Sequence, residues 1–113
     1  MTKQVAIVDY GAGNLLSVRR AFEKEGAEVT LASRFEDVTS AEYLVLPGVG
    51  AFCDGMAGLR RNGLHDAVMG FAETEKPLLG ICLGMQMHAS ESEEFGSHKG
   101  LDLIPGKVRA IPA

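Results

Sequence analysis

Leu79-Gly80-Ile81-Cys82-Leu83-Gly84-Met85-Gln86 places a cysteine between two glycines at the point where an apolar run gives way to a helical pattern. That arrangement is the sequence of a nucleophile elbow. In its serine form, G-x-S-x-G, the reactive side chain sits on a sharp, strained strand-to-helix turn, and the flanking glycines let the backbone pass close to neighbouring chain. A cysteine can take the same place. Backbone N–H groups and the positive dipole end at the start of a helix favour the thiolate, which is the attacking species.

Working outward from the elbow, the apolar run that feeds it, Leu78-Leu79-Gly80-Ile81, has three counterparts upstream: Val5-Ala6-Ile7-Val8, Val29-Thr30-Leu31 and Tyr43-Leu44-Val45-Leu46. Short apolar runs with little polar alternation suit strands buried on both faces. Between the first two, Leu15, Val18 and Phe22 recur at helical spacing, with Asn14 able to cap the helix and Gly26 able to end it. Leu64, Val68 and Phe71 mark a second helix over residues 64–73. A third is expected from Leu83 into the acidic run Glu91-Ser92-Glu93-Glu94, followed by a loop over residues 95–100 and a last strand over residues 107–111. Alternating strands and helices predict an α/β fold, a doubly wound and mostly parallel sheet of flavodoxin-like type in a single domain. Ligands in such sheets bind beyond the carboxyl ends of the strands. Three glycine-bearing segments fall there: Asp9-Tyr10-Gly11-Ala12-Gly13-Asn14, Pro47-Gly48-Val49-Gly50-Ala51-Phe52, and the elbow. The last strand ends almost at Ala113 with no helix to cover it, so the sequence reads as the amino-terminal portion of a longer domain.

Bulk properties narrow the function. The 113 residues are 46% apolar with a formal net charge of −4, and the scattered Lys and Arg form no basic stripe of the kind that nucleic acid or an anionic membrane needs. Met1-Thr2-Lys3-Gln4 runs straight into the first apolar stretch, which is no secretory start, and the expected compartment is the cytoplasm. Two cysteines, Cys53 and Cys82, are too few for a disulfide framework and are read as free thiols.

Each signal has a plainer competitor. A lone cysteine beside a strand is most often a small buried hydrophobe; Gly80 and Gly84 turn the reading of Cys82 toward a nucleophile, whereas Cys53 has no such setting and reads as packing. Gly11-Ala12-Gly13 opens a dinucleotide fingerprint, but Leu16 stands where the third glycine belongs and no acidic residue near Leu31 is placed for a ribose. It reads as a tight turn before a capped helix. His65, His88 and His98 are the bases of the customary kind, and none is well placed for Cys82: six positions on, His88 is turned well away on a continuous helix. All three read as solvated surface side chains. The acidic run reads as a solvated helix end rather than a metal site, since no histidine or cysteine shares its spacing.

On these residues the chain resembles the class I, triad-type glutamine amidotransferases, whose elbow reads G-x-C-x-G-x-Q; Gly80-Ile81-Cys82-Leu83-Gly84-Met85-Gln86 fits it throughout. Ile7-Val8-Asp9-Tyr10-Gly11-Ala12-Gly13-Asn14-Leu15, Pro47-Gly48-Val49-Gly50-Ala51-Phe52 and Lys99-Gly100-Leu101-Asp102-Leu103-Ile104-Pro105-Gly106-Lys107-Val108 add to the likeness, and the first and last of these resemble more narrowly the branch that serves histidine biosynthesis. The resemblance implies hydrolysis of L-glutamine to glutamate and ammonia through a thioester on Cys82, with no cofactor and no metal. It implies oxyanion donors in the N–H groups of Leu83 and Val49, the latter on a loop that rests with a peptide turned away. It implies substrate contacts from Gly50 and Gln86, and a (β/α)8-barrel synthase subunit as partner in a heterodimer, with Asn14 at the interface. The family completes its triad with a His and a Glu two residues apart, in a C-terminal segment that these 113 residues do not contain. Two alternatives stay open: a cysteine hydrolase of the PfpI-like kind, which would place a histidine where Leu83 stands, and a catalytically silent interaction domain on the same fold.

Overall fold

The computed structural model describes residues 3–11 and 14–111. Four strands, β1 (Gln4–Val8), β2 (Glu28–Ala32), β3 (Tyr43–Leu46) and β4 (Leu78–Gly80), pair in parallel in the order β2-β1-β3-β4. All four lie on the apolar runs of the sequence. Helix α1 (Leu15–Lys24) joins β1 to β2 and covers one face, where Leu15, Val18 and Phe22 pack on Val5, Ile7 and Val45. The route from β2 to β4 runs the other way across the sheet, and right-handed crossovers therefore place α2 (Phe35–Thr39), α3 (Phe52–Arg61) and α4 (His65–Glu73) on the opposite face. There Ala6, Val8, Leu44 and Leu46 meet Val38, Met56, Leu59, Val68 and Phe71 in the main core. Strand side chains alternate between the two faces, which is why both faces of β1 and β3 had to be apolar. The reversal of direction falls between β1 and β3, the usual crevice for ligands in a doubly wound sheet.

Helix α1 is bounded as its sequence predicts. The Asn14 side chain accepts from the Ser17 N–H at 3.2 Å, and at the other end Gly26, at φ +91°, completes a Schellman closure in which the Gly26 and Ala27 N–H groups donate to Glu23 and Phe22. The rest of the Gly11-Ala12-Gly13 turn, at Ala12 and Gly13, lies outside the described residues.

Three features depart from the sequence expectation. Helix α5 (Leu83–Met87) does not reach the acidic run; it stops after five residues and gives way to β5 (Ala89–Ser92). Its last carbonyls are taken by the returning chain: Leu101 N–H donates to Met87, and Leu103 and Ile104 N–H to His88. That competition ends the helix. Second, β6 (His98–Lys99) and β7 (Ile104–Val108) flank β5 in a separate three-stranded sheet, ordered β6-β5-β7, so the last strand begins earlier than residues 107–111 and does not extend the main sheet. Pro105 fits there because β7 is an edge strand. Third, α3 lies where no helix was expected. Gly55 and Gly58 depress its local propensity, yet both are needed by packing: a β-carbon on Gly55 would meet Leu83 Cδ2 at 2.9 Å, and one on Gly58 the Tyr10 carbonyl at 3.0 Å.

Candidate active site

The three glycine-bearing loops leave the carboxyl ends of β1, β3 and β4, which are neighbours in the sheet. Strand β4 stays on β3 as far as Ile81, whose N–H donates to the Leu46 carbonyl at 3.0 Å. The chain then reverses at Cys82, which sits at φ 53°, ψ −117° as the residue capping α5. For a side-chain-bearing residue this backbone state is strained. The turn is held by three bonds: Gly84 N–H to the Ile81 carbonyl at 2.9 Å, and Met85 and Gln86 N–H to the Cys82 carbonyl at 3.0 and 3.2 Å. The consequence is a free thiol exposed at the sheet edge. The flanking glycines are steric necessities. A β-carbon on Gly84 would collide with the Leu46 carbonyl, and one on Gly80 would stand 2.6 Å from the His88 ring and 2.7 Å from Met85 Cα.

Opposite the elbow, the loop after β3 carries Val49, which is 63% exposed, and Gly50 at φ +103°. The Leu83 N–H donates to the Gly48 carbonyl at 3.1 Å. Because the peptide is planar and trans, with carbonyl and N–H on opposite sides, the Gly48–Val49 peptide that offers its oxygen to Leu83 turns the Val49 N–H away from it. One rotation of that single peptide would release the Leu83 N–H and bring the Val49 N–H toward it. Gln86, four residues beyond Cys82, is half-buried on the same side of α5. Asn14, exposed at the start of α1, follows the neighbouring β1.

The histidines behave differently from one another. His88 is buried, 8% exposed, rather than solvated; with α5 cut short its ring folds back over the elbow, and its Nδ1 lies 2.7 Å from the Gly84 carbonyl, which assigns the proton to that nitrogen. His65 lies beside Asp66 at 3.3 Å, and His98 Nε2 beside the Phe95 carbonyl at 2.9 Å. None of the three hydrogen-bonds the Cys82 thiol. The acidic run is likewise not a solvated helix end. Glu94 accepts from the Phe52 N–H at 2.9 Å, satisfying a first-turn donor of α3, and Glu91 pairs with Lys107 at 3.2 Å across β5 and β7.

Two residues beside the site carry little signal in the sequence. Glu94 reaches Phe52 over 42 positions, and Tyr10 donates its hydroxyl proton to the Pro47 carbonyl at 2.5 Å over 37. Burial pushes the Tyr10 phenol up to about 12, so it is neutral and a donor at ordinary pH. A hollow of about 640 Å³ lies away from all of these, between α1 and the β3–β4 edge, lined by Phe22, Tyr43, Val45 and Leu79 among others, and none of residues 80–86 lines it.

A parallel α/β sheet with a cysteine elbow at its carboxyl edge is the arrangement of a triad-type amidotransferase domain, and residues 6–108 match the family model Glutamine amidotransferase class-I: the chain belongs to that family. It is 58% identical over 109 residues to "Imidazole glycerol phosphate synthase subunit HisH 1" of Legionella pneumophila (strain Paris), covering 96% of this chain and 51% of that protein. It is 50% identical over 111 residues to the subunit HisH of Moorella thermoacetica, covering 98% of this chain and 53% of that one. The chain thus spans about half the length of these curated relatives. Among solved structures, a glutamine amidotransferase crystal structure superposes with a TM-score of 0.78 at 22% identity, over 93% of this chain and 55% of that one. A putative peptidase E from Listeria monocytogenes EGD-e superposes at 0.69 with 15% identity, over 90% and 63%. At such identities the likeness speaks for the fold alone.

Proposed function

We propose that the protein acts as the glutaminase component of an imidazole glycerol phosphate synthase, in the histidine pathway and in the cytoplasm. Cys82 Sγ attacks the side-chain amide carbon of L-glutamine, the C–N bond breaks, and ammonia leaves with the thiol proton; water then cleaves the γ-glutamyl thioester to glutamate and restores the thiol. The observation that carries this reading is the exposed cysteine held at φ 53° on a glycine-flanked elbow, facing the loop of Gly48, Val49 and Gly50, in a member of this family. Negative charge developing on the amide oxygen would be met by the N–H groups of Leu83 and, after the Gly48–Val49 peptide turns, Val49. Gly50 and Gln86 would hold the glutamine. The bond from the Leu83 N–H to the Gly48 carbonyl supports reading this arrangement as a resting form, since it occupies one of the two donors.

In this reading a base other than His65, His88 and His98 takes the thiol proton, since none of those three hydrogen-bonds the Cys82 thiol. The ammonia passes to a (β/α)8-barrel synthase subunit docked at the carboxyl edge, where Asn14 contributes to the interface. No helix among the described residues is long and apolar enough to cross a membrane, in keeping with a pathway enzyme of this kind.

The test is covalent labelling of the intact protein with a glutamine-mimicking chloroketone, read by peptide mass spectrometry. One adduct at Cys82, slowed by L-glutamine, with Cys53 untouched, is the expected result. Labelling that ignores glutamine, or that favours Cys53, would refute the reading and return the PfpI-like hydrolase or the silent domain to contention.

A further inference from the structure

The loop that faces Cys82 is tied down at both of its ends by side chains remote in sequence. At one end the buried Tyr10 hydroxyl donates to the Pro47 carbonyl, and it lies so close to the Gly48 α-carbon that a β-carbon there would strike it. At the other end the Phe52 N–H is held by Glu94. Between the two anchors the chain carries Gly48, Val49, Gly50 and Ala51, and the Gly48 carbonyl occupies the Leu83 N–H. Tyr10 is itself fixed. Its backbone carbonyl accepts from Asn62 Nδ2 at 3.2 Å, the same amide nitrogen bonds the Gly58 carbonyl at 2.8 Å, and Gly58 leaves its ring no room to move toward α3.

A peptide that must turn between two neighbouring pairs of residues needs one side that does not follow it. If the Pro47 carbonyl were free, rotation at Gly48 would spread backward into β3 and blur the orientation of the Val49 N–H; with that carbonyl clamped, the freedom is confined to the bonds on either side of one peptide. Glycine at 48 supplies the conformational latitude that the turn requires. The anchor also sits on the chain leaving β1, one residue before Gly11, so a displacement at Tyr10 reaches the Pro47 carbonyl through a single side chain.

We propose that Tyr10 is a positioning residue for the oxyanion loop: its hydroxyl fixes the Pro47 carbonyl, confines rotation to the Gly48–Val49 peptide, and links that rotation to the chain leaving β1. The proposal rests on the glutaminase reading for its catalytic meaning, though not for its structural content. Substitution Tyr10→Phe removes the donor and keeps the ring.

The experiment compares the intact protein, with its synthase subunit present, as wild type, Tyr10→Phe and Val68→Ala; the last is a core truncation in α4, remote from the loop, that matches a general loss of stability. Native-state amide exchange at Leu83 reads the Gly48 bond directly. In Tyr10→Phe it should quicken about tenfold, the worth of one hydrogen bond, beyond whatever Val68→Ala produces. Partner-stimulated kcat for glutamine should fall about tenfold with KM nearly unchanged, because the lost contact acts on the transition state. Alkylation of Cys82 by iodoacetamide, a displacement that needs no oxyanion donor, should stay as in wild type. Exchange at Leu83 that merely tracks Val68→Ala, or KM rising as kcat holds, would overturn the proposal and leave Tyr10 a core residue. Should wild type fail to hydrolyse glutamine while the Leu83 exchange behaves as expected, the glutaminase reading falls and the positioning of the loop stands.

Discussion

Cys82 holds a backbone state, φ 53° and ψ −117°, that glycine adopts freely and a side-chain-bearing residue resists. The surrounding bonds overrule that preference: β4 is pinned to β3 through Ile81, and α5 begins at once behind it. The strain lifts the thiol to the surface, and it has a measurable counterpart. Cys82→Gly should stabilise the protein by about 1 kcal/mol while eliminating all labelling by a glutamine-mimicking electrophile. Urea unfolding monitored by circular dichroism checks this, and a midpoint lowered by the substitution would show that the elbow is not strained. His88 shows the same dependence on neighbours in reverse. Its identity suggests a solvated base, but its ring is enclosed between Gly80 and the Gly84 carbonyl, where it braces the turn and makes no hydrogen bond to Cys82.

Among the elements, glycine content means opposite things in different helices. Gly70 lies within α4 with open space where a β-carbon would go, so it weakens the helix and serves no contact. Gly84 lies in α5 directly against the Leu46 carbonyl of β3. Gly70→Ala should therefore stabilise the fold by about 0.5–1 kcal/mol through helix propensity. Gly84→Ala should destabilise it by about 3 kcal/mol or more, because the obstacle is backbone and cannot swing aside. Thermal or urea unfolding of the pair gives both signs in one comparison; equal effects would contradict this account of how α5 seats on the sheet. The same closeness explains the missed helix α3, whose glycines look like breakers in isolation and prove to be contact points for Leu83, Met87 and Tyr10.

At the scale of the whole molecule, the sheet gathers the exposed Cys82, the loop of Gly48 to Gly50 that faces it and the chain leaving β1 at one edge, while none of the three histidines hydrogen-bonds the thiol. A thiol without a base is a poor catalyst at neutral pH. These 113 residues by themselves should accordingly release ammonia from glutamine far more slowly than the roughly 10 turnovers per second common among enzymes. A coupled glutamate dehydrogenase assay would detect the difference, and turnover near that figure would mean that one of His65, His88 and His98 serves as the base.

The strands β1 to β4, the capped α1, the α4 helix and the cysteine elbow were all legible from the chain itself, since each rests on local rules: unbroken apolar runs for buried parallel strands, 3.6-residue spacing for a helix face, a capping side chain, glycines about a nucleophile. What stayed hidden depends on partners distant along the chain. The Leu83 N–H is occupied by Gly48, Tyr10 clamps Pro47, Glu94 caps α3, and the returning segment at Leu101 to Ile104 ends α5 by competing for its carbonyls. Local chemistry determined which residues could react; hydrogen bonds closed over tens of positions, which no local pattern encodes, decided that the Gly48 carbonyl holds the Leu83 N–H and that Tyr10 and Glu94 anchor its loop.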